Sequence, residues 1–321
     1  MNIAPTDYET LRLVSRVLNL YYLENLNQAE IAKLLGLSTP KVNRLLKQAR
    51  VQGMVEIKLH IPFQHILDLE KRIHMLTGVE AVVTPSLSQD PLALMQMVGK
   101  AAADYLLEHV HDGDTICTGG GNTLYTLVQA VHPTKPVAVT VVPATGGVQG
   151  RHATDVNNLA AELANQLGGQ SFQLHAPAFA DSPEERDAVI QLRHVSEMLD
   201  RACNARIAVF GIGTLTGNSS YFNFTSLSPQ ERTDLVENTR GVGEILARVL
   251  DENGLDCAPQ YSRRVIGINL KDIHHIPLTI GLAANVERAP AVAAVLRGKL
   301  VKTIIMDETT AARVVEILDP A

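Results

Sequence analysis

The sequence has few cysteines and no long apolar run, and both scarcities narrow the class of protein. Three cysteines occur in 321 residues, Cys117, Cys203 and Cys257, and they are isolated and odd in number. This pattern argues against a disulfide framework or a zinc site and favours a reducing, cytoplasmic setting. No stretch approaches the roughly 18 consecutive apolar residues of a membrane span. The polar N-terminus also lacks the basic and apolar regions of a secretory signal.

Charge is distributed unevenly along the chain. Residues 1–60 contain eight Lys and Arg against five Asp and Glu, a net charge of +3, whereas the remainder carries 20 bases against 29 acids. A length of 321 residues is enough for two globular domains. A small basic head on a large acidic body suits DNA binding by the head alone.

The head shows the spacing of consecutive helices. Apolar side chains recur at helical spacing over residues 7–25, which predicts a first helix. Asn27 and Glu30 form a capping-box pattern at the start of a short second helix over residues 28–35, and Gly36 should end it in the left-handed conformation. The second helix should turn three side chains inward: Ile31, Leu34 and Leu35.

A third helix is expected from Ser38, as its cap, to about Gly53, with Pro40 in the first turn. Val42 and Leu45 should anchor it against the second helix. Residues 54–60 alternate apolar and charged side chains as a strand does, and can form a wing.

A basic face remains on the third helix, and it is in register with a helix-turn-helix. The side chains that should face outward are Thr39, Lys41, Asn43, Arg44 and Lys47. We expect Asn43 and Thr39 to contact bases and Arg44 to contact either bases or phosphates. The expected phosphate contacts are Lys41, Lys47 and Arg50. An ordinary helical hairpin with a solvated basic face is the alternative. Because one such unit binds DNA weakly, a symmetric oligomer on paired half-sites is expected, with a tetramer favoured over a dimer.

From Val79 onward the pattern alternates between strands and helices, which predicts an α/β fold with a Rossmann-like, mainly parallel sheet. The predicted strands are 80–84, 114–118, 137–142, 172–175, 206–210, 264–268, 277–282 and 301–306. The predicted helices are 91–109, 122–131, 153–167, 184–202, 229–233, 242–252, 289–298 and 308–318. The expected domains are a helix-turn-helix over 1–60, a linker helix over 61–78 and an effector domain over 79–321.

Glycine-rich turns follow three of the predicted strands and should meet at one edge of the sheet. They contain Gly119, Gly120, Gly121, Asn122 and Thr123 in the first, Gly146 and Gly147 in the second, and Gly211 and Gly213 in the third, with Asn218, Ser219 and Ser220 beyond. Backbone N–H groups at a helix start can hold a phosphate. The first turn is neither a Walker loop nor a dinucleotide fingerprint, so no cofactor is predicted. Plain strand-to-helix turns are the alternative.

Two charged residues later in the chain are further candidates for effector binding. Glu244, placed in the predicted helix 242–252, can accept hydrogen bonds from sugar hydroxyls, and Arg288 can pair with a phosphate or an acidic group. From spacing alone, solvated charges at helix ends are the favoured explanation.

Taken together, these segments resemble the SorC family of bacterial sugar-responsive transcriptional regulators. The resemblance rests on LNQAEIAKLLGLSTPKVNRLLKQARVQGMVEI, GGGNTL, PATGGVQG, FGIGTL, RGVGEILARVLDENG, RVIGINLKDIHHIPLTIGLAANVERA and LRGKLVKTIIMDETTA. It implies a body with the sugar-phosphate isomerase and deaminase fold, a phosphorylated sugar as inducer, and a tetramer built from dimers. Residues 119–124 would then hold the phosphate.

The sequence departs from the family pattern at four places in the same expected pocket. Glu244 stands where the family usually has Asp, and Arg288 where it usually has Lys. Ala284-Asn285 replaces a glycine pair, and Gly120 replaces a frequent Trp or Phe. These departures suggest an effector of shifted size or shape.

The sequence therefore predicts a regulator, most readily a repressor of a carbohydrate-utilisation operon, whose partners are operator DNA and a phosphorylated sugar. A sugar-phosphate isomerase or deaminase with a DNA-binding head is the alternative, but its best candidate bases, Glu244 and His152, are isolated. An architectural DNA binder without an effector would leave the three convergent glycine turns unexplained. No metal and no membrane partner is expected.

Overall fold

A computed structural model describes residues 8–56, 62–148, 152–215, 222, 225 and 227–320 of the chain. The chain divides into two compact units, Met1–Pro62 and Phe63–Ala321, which are described here separately as the head and the body. None of the helices in these ranges is long and apolar enough to cross a membrane.

The head is helical. Its elements are α1 (Tyr8–Leu18), a π-helical turn (Asn19–Leu23), α2 (Gln28–Leu35) and α3 (Thr39–Val51). The side-chain oxygen of Asn27 accepts from the N–H groups of Ala29 and Glu30 at 3.0 and 3.1 Å, and the Glu30 carboxylate accepts from the Asn27 N–H at 2.8 Å. Gly36 ends α2 with φ of +63°. The predicted capping box and glycine stop are therefore confirmed.

The head core is formed by side chains from all three helices. Buried members are Val17, Leu20, Ile31, Ala32, Val42, Leu45 and Leu46. The prediction that Leu34 faces inward was wrong, since its side chain is 60% exposed, and Ala32 occupies the close crossing instead.

Two further predictions in the head needed adjustment. Ser38 stands at the start of α3, but its side chain makes no capping hydrogen bond. The predicted first helix changes to a π-helical turn at Asn19. The wing predicted over residues 54–60 lies largely outside the described residues, because 57–60 are not among them.

The body alternates strands and helices. Its strands are β1 (Glu80–Thr84), β2 (Thr115–Thr118), β3 (Thr140–Pro143), β4 (Gln170–Ser171), β5 (Ile207–Gly213), β6 (Gly243–Ile245), β7 (Arg248–Leu250), β8 (Leu278–Ala283) and β9 (Thr303–Asp307). Its helices are α4 (Gln64–Thr77), α5 (Pro91–His109), α6 (Asn122–Ala130), α7 (Val156–Leu167), α8 (Pro183–Ile190), α9 (Arg193–Cys203), α10 (Pro229–Asn238), α11 (Pro259–Ser262), α12 (Leu270–Ile273), α13 (Ala289–Arg297) and α14 (Glu308–Leu318). Short 3-10 turns cover His152–Thr154 and Val286–Arg288.

Of the nine strands in these ranges, seven form a parallel sheet in the order β1–β9–β8–β5–β2–β3–β4, which confirms the predicted mainly parallel α/β body. After β2 the chain continues to β3 on one side, and after β5 it continues to β8 on the other. The carboxyl ends of β2 and β5 therefore flank a topological switch point, where open α/β sheets bind ligands.

Both faces of the sheet are covered. Along β5, Ile207 and Val209 pack into one core, whereas Ala208, Phe210 and Ile212 pack into the other. This alternation follows from the two-residue period of a strand. The helix predicted as a linker, α4, buries Ile66 and Ile73 in the second of these cores, so it packs as part of the body.

The prediction of a helix over residues 242–252 was wrong. This segment forms an antiparallel hairpin, in which β6 also pairs with the end of β5 through Ile212 and Ile245. Hydrogen bonds to a distant strand replace the local bonds of a helix here, and glycines at 241 and 243 weaken the helical alternative.

Three other boundaries differ from the sequence prediction. The strand expected at 172–175 is shorter and earlier, as β4, and the segment 264–268 makes only isolated bridges, from Val265 to Phe179 and from Gly267 to Thr145. The predicted helix 184–202 is two helices, because Leu192 takes an extended conformation between α8 and α9.

Candidate effector cavity and DNA-reading face

A cavity opens at the switch point, between the turns that follow β2, β3 and β5 and the β6–β7 hairpin. The described residues that line it are Gly119, Gly120, Thr145, Gly146, Val148, Asp155, Val156, Ala178, Gly211, Glu244, Leu246 and Ala247. These include two carboxylates and no cation. Its volume is about 60 Å³, well below the roughly 300 Å³ of a typical ligand pocket, so a ligand larger than a few waters must widen it.

The first glycine turn connects β2 to α6 at the cavity edge, and two of its backbone N–H groups donate to carbonyls of the body. The N–H of Gly119 donates to the Val209 carbonyl at 3.0 Å, and that of Gly121 donates to the Thr154 carbonyl at 3.0 Å. Gly121 has a φ of +107°, which disfavours any residue with a side chain. The first N–H groups of α6, at Asn122 and Thr123, have no partner within the helix and lie at its positive end.

The side chains of this turn differ in exposure. Asn122 is exposed, whereas Thr123 is buried, and within the described residues the Thr123 hydroxyl has no hydrogen-bond partner. A Cβ at Gly120 would lie 3.1 Å from the Thr154 carbonyl oxygen and 3.4 Å from the Val156 nitrogen. A bulky side chain at this position would require that segment to move.

The second turn is fixed by its neighbours. The N–H of Gly146 donates to the Ile266 carbonyl, and that of Gly147 to the Ala176 carbonyl, both at 2.9 Å. A Cβ on Gly146 would overlap the Pro177 carbonyl, so glycine is required there by close packing. The remainder of this predicted turn, Gln149 and Gly150, lies outside the described residues, as do Asn218, Ser219 and Ser220 beyond the third turn.

Asp155 is a cavity residue that the sequence reasoning missed. Its carboxylate caps α7 by accepting from the Asn157 N–H at 3.0 Å, and it also accepts from the Val148 N–H at 2.7 Å. It thereby ties the second glycine turn to the start of α7. An Asp immediately before an apolar helical pattern was the available signal, since it is typical of a helix N-cap.

Glu244 lies in the cavity wall on β6, and its side chain is 8% exposed. Its carboxylate accepts from the Ala247 N–H at 3.1 Å. Burial raises its pKa to about 7, although the Ala247 N–H and the positive charge of Arg288 oppose the rise. A Cβ on Gly213 would overlap this carboxyl group, so the glycine that ends β5 makes room for it.

The turn of the β6–β7 hairpin is strained. Leu246 and Ala247 form its two central positions with φ of +51° and +59°, a conformation that usually selects Asn and Gly. Non-glycine residues there cost about 1 kcal/mol or more each. Both residues also line the cavity, so backbone strain is concentrated where a ligand would contact the wall.

Arg288 is half-buried in the turn before α13 and is not among the described lining residues. Its guanidinium donates to the Ala284 carbonyl. Burial lowers its pKa, against the attraction of Glu287, Glu244 and Asp307. Within the described residues it has no carboxylate in ion-pair range. Its effect on Glu244 is therefore a longer-range electrostatic attraction without an ion pair.

The Ala284-Asn285 departure has a structural consequence. Asn285 has φ of +80° and ψ of 132°, a region that side chains rarely occupy. Its N–H donates to Asp307 at 2.7 Å, and the same buried carboxylate accepts from Thr310 at the start of α14. Asp307 therefore fixes the loop that carries Arg288.

The predicted effector residues thus fall into three groups. Those that line the cavity are Gly119, Gly120, Gly146 and Glu244. Those adjacent to it in the same turns are Gly121, Asn122, Thr123 and Gly147, and Arg288 stands apart. Among the described residues, no cluster of three or more His, Cys, Asp or Glu side chains could hold a metal ion.

In the head, every predicted DNA-reading side chain is exposed on α3. These are Thr39, Lys41, Asn43, Arg44 and Lys47, whereas Val42 and Leu45 between them are buried. Arg50, one turn further, donates from Nε to the Tyr22 hydroxyl at 2.7 Å. Its guanidinium is therefore partly held within the head.

Known proteins match both units. Residues 61–316 match the family model described as "Putative sugar-binding domain", and residues 12–52 match that of sigma-70, region 4. The deoxyribonucleoside regulator of Bacillus subtilis (strain 168) is 29% identical over 318 residues, which cover 97% of this chain and 100% of that protein. The sorbitol operon regulator of Klebsiella pneumoniae is 27% identical, covering 94% and 97%.

The fold agrees with these matches. The crystal structure of the full-length sorbitol operon regulator SorC from Klebsiella pneumoniae is similar with a TM-score of 0.73 and 25% identity, over 96% of this chain and 99% of that chain. The sugar-binding family model spans most of the chain, and the curated relatives span nearly all of it. The chain therefore belongs to the SorC family of transcriptional regulators, with a DNA-binding helix-turn-helix and a sugar-binding domain.

Proposed function

We propose that the effector of this regulator is a phosphorylated sugar that binds in the cavity at the switch point. The phosphate is placed at the first glycine turn, on the N–H groups of Asn122 and Thr123 and the free Thr123 hydroxyl. The sugar hydroxyls donate to Glu244 and Asp155. Two relatives are named as a deoxyribonucleoside regulator and a sorbitol operon regulator. Both compounds carry several hydroxyl groups, which supports a polyhydroxylated ligand.

One observation carries this proposal: the cavity combines two carboxylates in its wall with the start of a helix at its edge. Carboxylates at Glu244 and Asp155 accept from hydroxyls but repel phosphate, while the start of α6 attracts phosphate through N–H groups and its dipole. A ligand with an anionic end and a neutral polyhydroxyl part satisfies both. A free sugar would leave the helix end unused.

The small volume of the cavity supports a role in switching. A sugar phosphate that must widen it binds the widened state in preference to the closed one, and only such differential binding can shift operator affinity. We propose that the ligand weakens operator binding, so that the protein acts as a repressor of a carbohydrate-utilisation operon. Two or four copies on paired half-sites supply the affinity that one helix-turn-helix lacks.

The test combines a ligand panel with one isosteric variant. Thermal unfolding of the full chain is measured with phosphorylated and free sugars, starting from deoxyribose 5-phosphate and sorbitol 6-phosphate, because a bound ligand raises the unfolding temperature by mass action. Asn122→Asp places a negative charge at the first residue of α6. This charge should stabilise the ligand-free protein slightly through the helix dipole, but it should lower the affinity for a phosphorylated ligand about tenfold or more.

The wild-type protein should respond to at least one phosphorylated sugar, and Asn122→Asp should lose that response while it still binds the operator. A response to free sugars alone, or one that Asn122→Asp leaves unchanged, would contradict the placement of the phosphate. Light scattering with and without the ligand measures whether the protein is a dimer or a tetramer and whether the ligand changes that state.

A second candidate function is supported by Glu244. A buried carboxyl group with a pKa near 7 beside a cavity is suited to general acid–base chemistry at neutral pH. A sugar-phosphate isomerase or deaminase would use it as the base. The other candidate base, His152, has a side chain outside the described part of the structure. Turnover of glucosamine 6-phosphate or ribose 5-phosphate, abolished by Glu244→Gln, would establish this alternative.

A further inference from the structure

Arg248, the first residue of β7, is a buried cation that has no ion-pair partner among the described residues. Its side chain is 4% exposed. Nη1 donates to the Leu246 carbonyl at 3.0 Å and Nη2 to the Asn269 side-chain oxygen at 3.4 Å. In the described part of the chain no carboxylate lies within 4.0 Å of it. A guanidinium has five N–H donors, so these two bonds to neutral oxygens leave most of its capacity unused.

Such a burial is unfavourable on its own. Removal from water is the main cause that lowers the pKa of Arg248 to about 10; the charges of Asp256 and Asp272 oppose the shift, and that of Arg186 adds to it. Buried charges in folded proteins are normally paired or bound to a counter-ion. A bound anion beside this guanidinium would therefore offset the cost of burying its charge.

Arg248 lines an open cavity that is separate from the effector cavity. The described residues around it are Pro183, Arg186, Asp187, Arg248, Asp256, Pro259, Ser262, Arg263, Asn269, Leu270 and Lys271. None of them lines the effector cavity. The volume is about 520 Å³, within the usual range for a small-molecule site.

The charges around this second cavity favour an anion. Four cations and two carboxylates line it, so positive charge remains in excess after Asp187 pairs with Arg186. Asp256 accepts from the Ser262 hydroxyl at 2.9 Å, and Asp187 pairs with Arg186 at 2.9 Å. Arg263 and Lys271 are exposed at its rim.

We propose that this cavity is a second ligand site, which binds a small phosphate-bearing anion on Arg248, with Arg263 and Lys271 at the rim. Guanidinium N–H groups match two phosphate oxygens at once, and Arg186 and Lys271 add charge. The anion is either free phosphate or the phosphate of a metabolite, because both present the same group.

The site is connected to the effector cavity through one turn. Nη1 of Arg248 holds the carbonyl of Leu246, and Leu246 itself lines the effector cavity in a strained conformation. An anion that draws the Arg248 guanidinium towards the second cavity changes its hydrogen bond to the Leu246 carbonyl, and through that bond it acts on the turn of the β6–β7 hairpin. Binding at the two sites is then coupled, and each ligand changes the affinity of the other by the same factor.

The test is calorimetric titration of the full chain with inorganic phosphate, and separately with ribose 5-phosphate, at constant ionic strength. Both titrations use Asn122→Asp as the background, so that the effector cavity does not contribute. Arg248→Gln removes the central charge. Arg263→Glu changes the rim in an exposed position and so keeps the test valid if the buried variant does not fold.

The matched control is Lys135→Glu, which makes the same change of charge at an exposed residue that lines neither cavity. We expect phosphate, ribose 5-phosphate or both to bind the background protein, with a loss of about tenfold or more in Arg248→Gln and Arg263→Glu and little change in Lys135→Glu. Binding of ribose 5-phosphate alone would identify a metabolite as the ligand. Absence of binding by both anions, or equal binding by Arg263→Glu and Lys135→Glu, would overturn the proposal.

Failure here is distinguishable from failure of the proposed effector function. That function is tested in the protein with an intact Asn122, by the response to phosphorylated sugars. The second site is tested with the effector cavity already impaired.

Discussion

The carboxylate of Glu244 and the N–H of Ala247 form a 3.1 Å hydrogen bond across the turn of the β6–β7 hairpin. This bond joins the buried acid of the effector cavity to a backbone held at positive φ. The same turn accepts from Arg248 on its other side, through the Leu246 carbonyl. The state of Glu244 and the conformation of the turn are therefore linked, and the predictions below separate their contributions.

Glu244→Gln should stabilise the protein at pH 8 but not at pH 4.5. In the unfolded chain Glu244 ionises near pH 4.5, and in the folded protein near pH 7. The folded state therefore holds the extra proton between these values, and stability falls as pH rises from about 4.5 to about 7. The full difference corresponds to about 3 kcal/mol. Glutamine removes this loss because it stays neutral.

The measurement is the difference in unfolding temperature between Glu244→Gln and wild type across this pH range. The difference in unfolding temperature should increase by several degrees as pH rises. A gap that is constant with pH would mean that Glu244 ionises normally. Taking the difference cancels the titration of carboxylates shared by both proteins.

Gly213→Ala should impair effector binding more than Gly119→Ala. An added Cβ at Gly213 overlaps the Glu244 carboxyl group and lies 2.9 Å from its Cδ, so the acid must leave its position. At Gly119 the nearest atom would be 3.7 Å away, an ordinary contact. Titration with the effector found in the panel measures both. Equal affinities in the two variants would show that Glu244 does not contact the ligand.

Ala247→Gly should raise the free energy of unfolding by about 1 kcal/mol, because glycine adopts the positive φ of this turn without strain. Ala188→Gly is the control, since Ala188 is exposed within helix α8 and the same exchange should cost about 1 kcal/mol there. Urea unfolding measures both. Destabilisation by both variants would contradict strain in the hairpin turn.

Asn43→Ala and Lys47→Ala should weaken operator binding in different ways. Loss of Asn43 should reduce the preference for operator over random DNA by about 1–3 kcal/mol, because amide side chains contact base edges. Loss of Lys47 should weaken binding to all sequences and reduce the slope of affinity against salt by about one.

Fluorescence anisotropy on operator and random duplexes at several salt concentrations separates the two effects. Lys33→Ala is the control, because Lys33 is exposed on α2, away from the proposed reading face. If Asn43→Ala loses affinity equally for both duplexes, Asn43 contacts the phosphate backbone and does not read bases.

The sequence alone determined the parts that depend on neighbours close in the chain. The capping box at Asn27, the left-handed stop at Gly36 and the exposed face of α3 follow from residue types at fixed spacing, and the structure has each of them. The same is true of α5 and of most of the parallel strands, whose apolar runs are bounded by clear turn signals. The first two glycine turns follow their strands as predicted, whereas Gly211 and Gly213, expected in a turn after a strand, lie within β5.

The tertiary structure decided the parts that depend on distant partners. Glu244 was assigned to a helix by its local pattern, but pairing with β5 made the segment a hairpin. Arg288 was expected beside Glu244 in the site, yet Asp307 fixes its loop and its guanidinium turns to Ala284. The N-cap position of Asp155 could be inferred locally but its place in the cavity could not, and Arg248 carried no strong local signal. Their importance comes from burial and from the cavities they line, and burial arises only when segments far apart in the chain pack together.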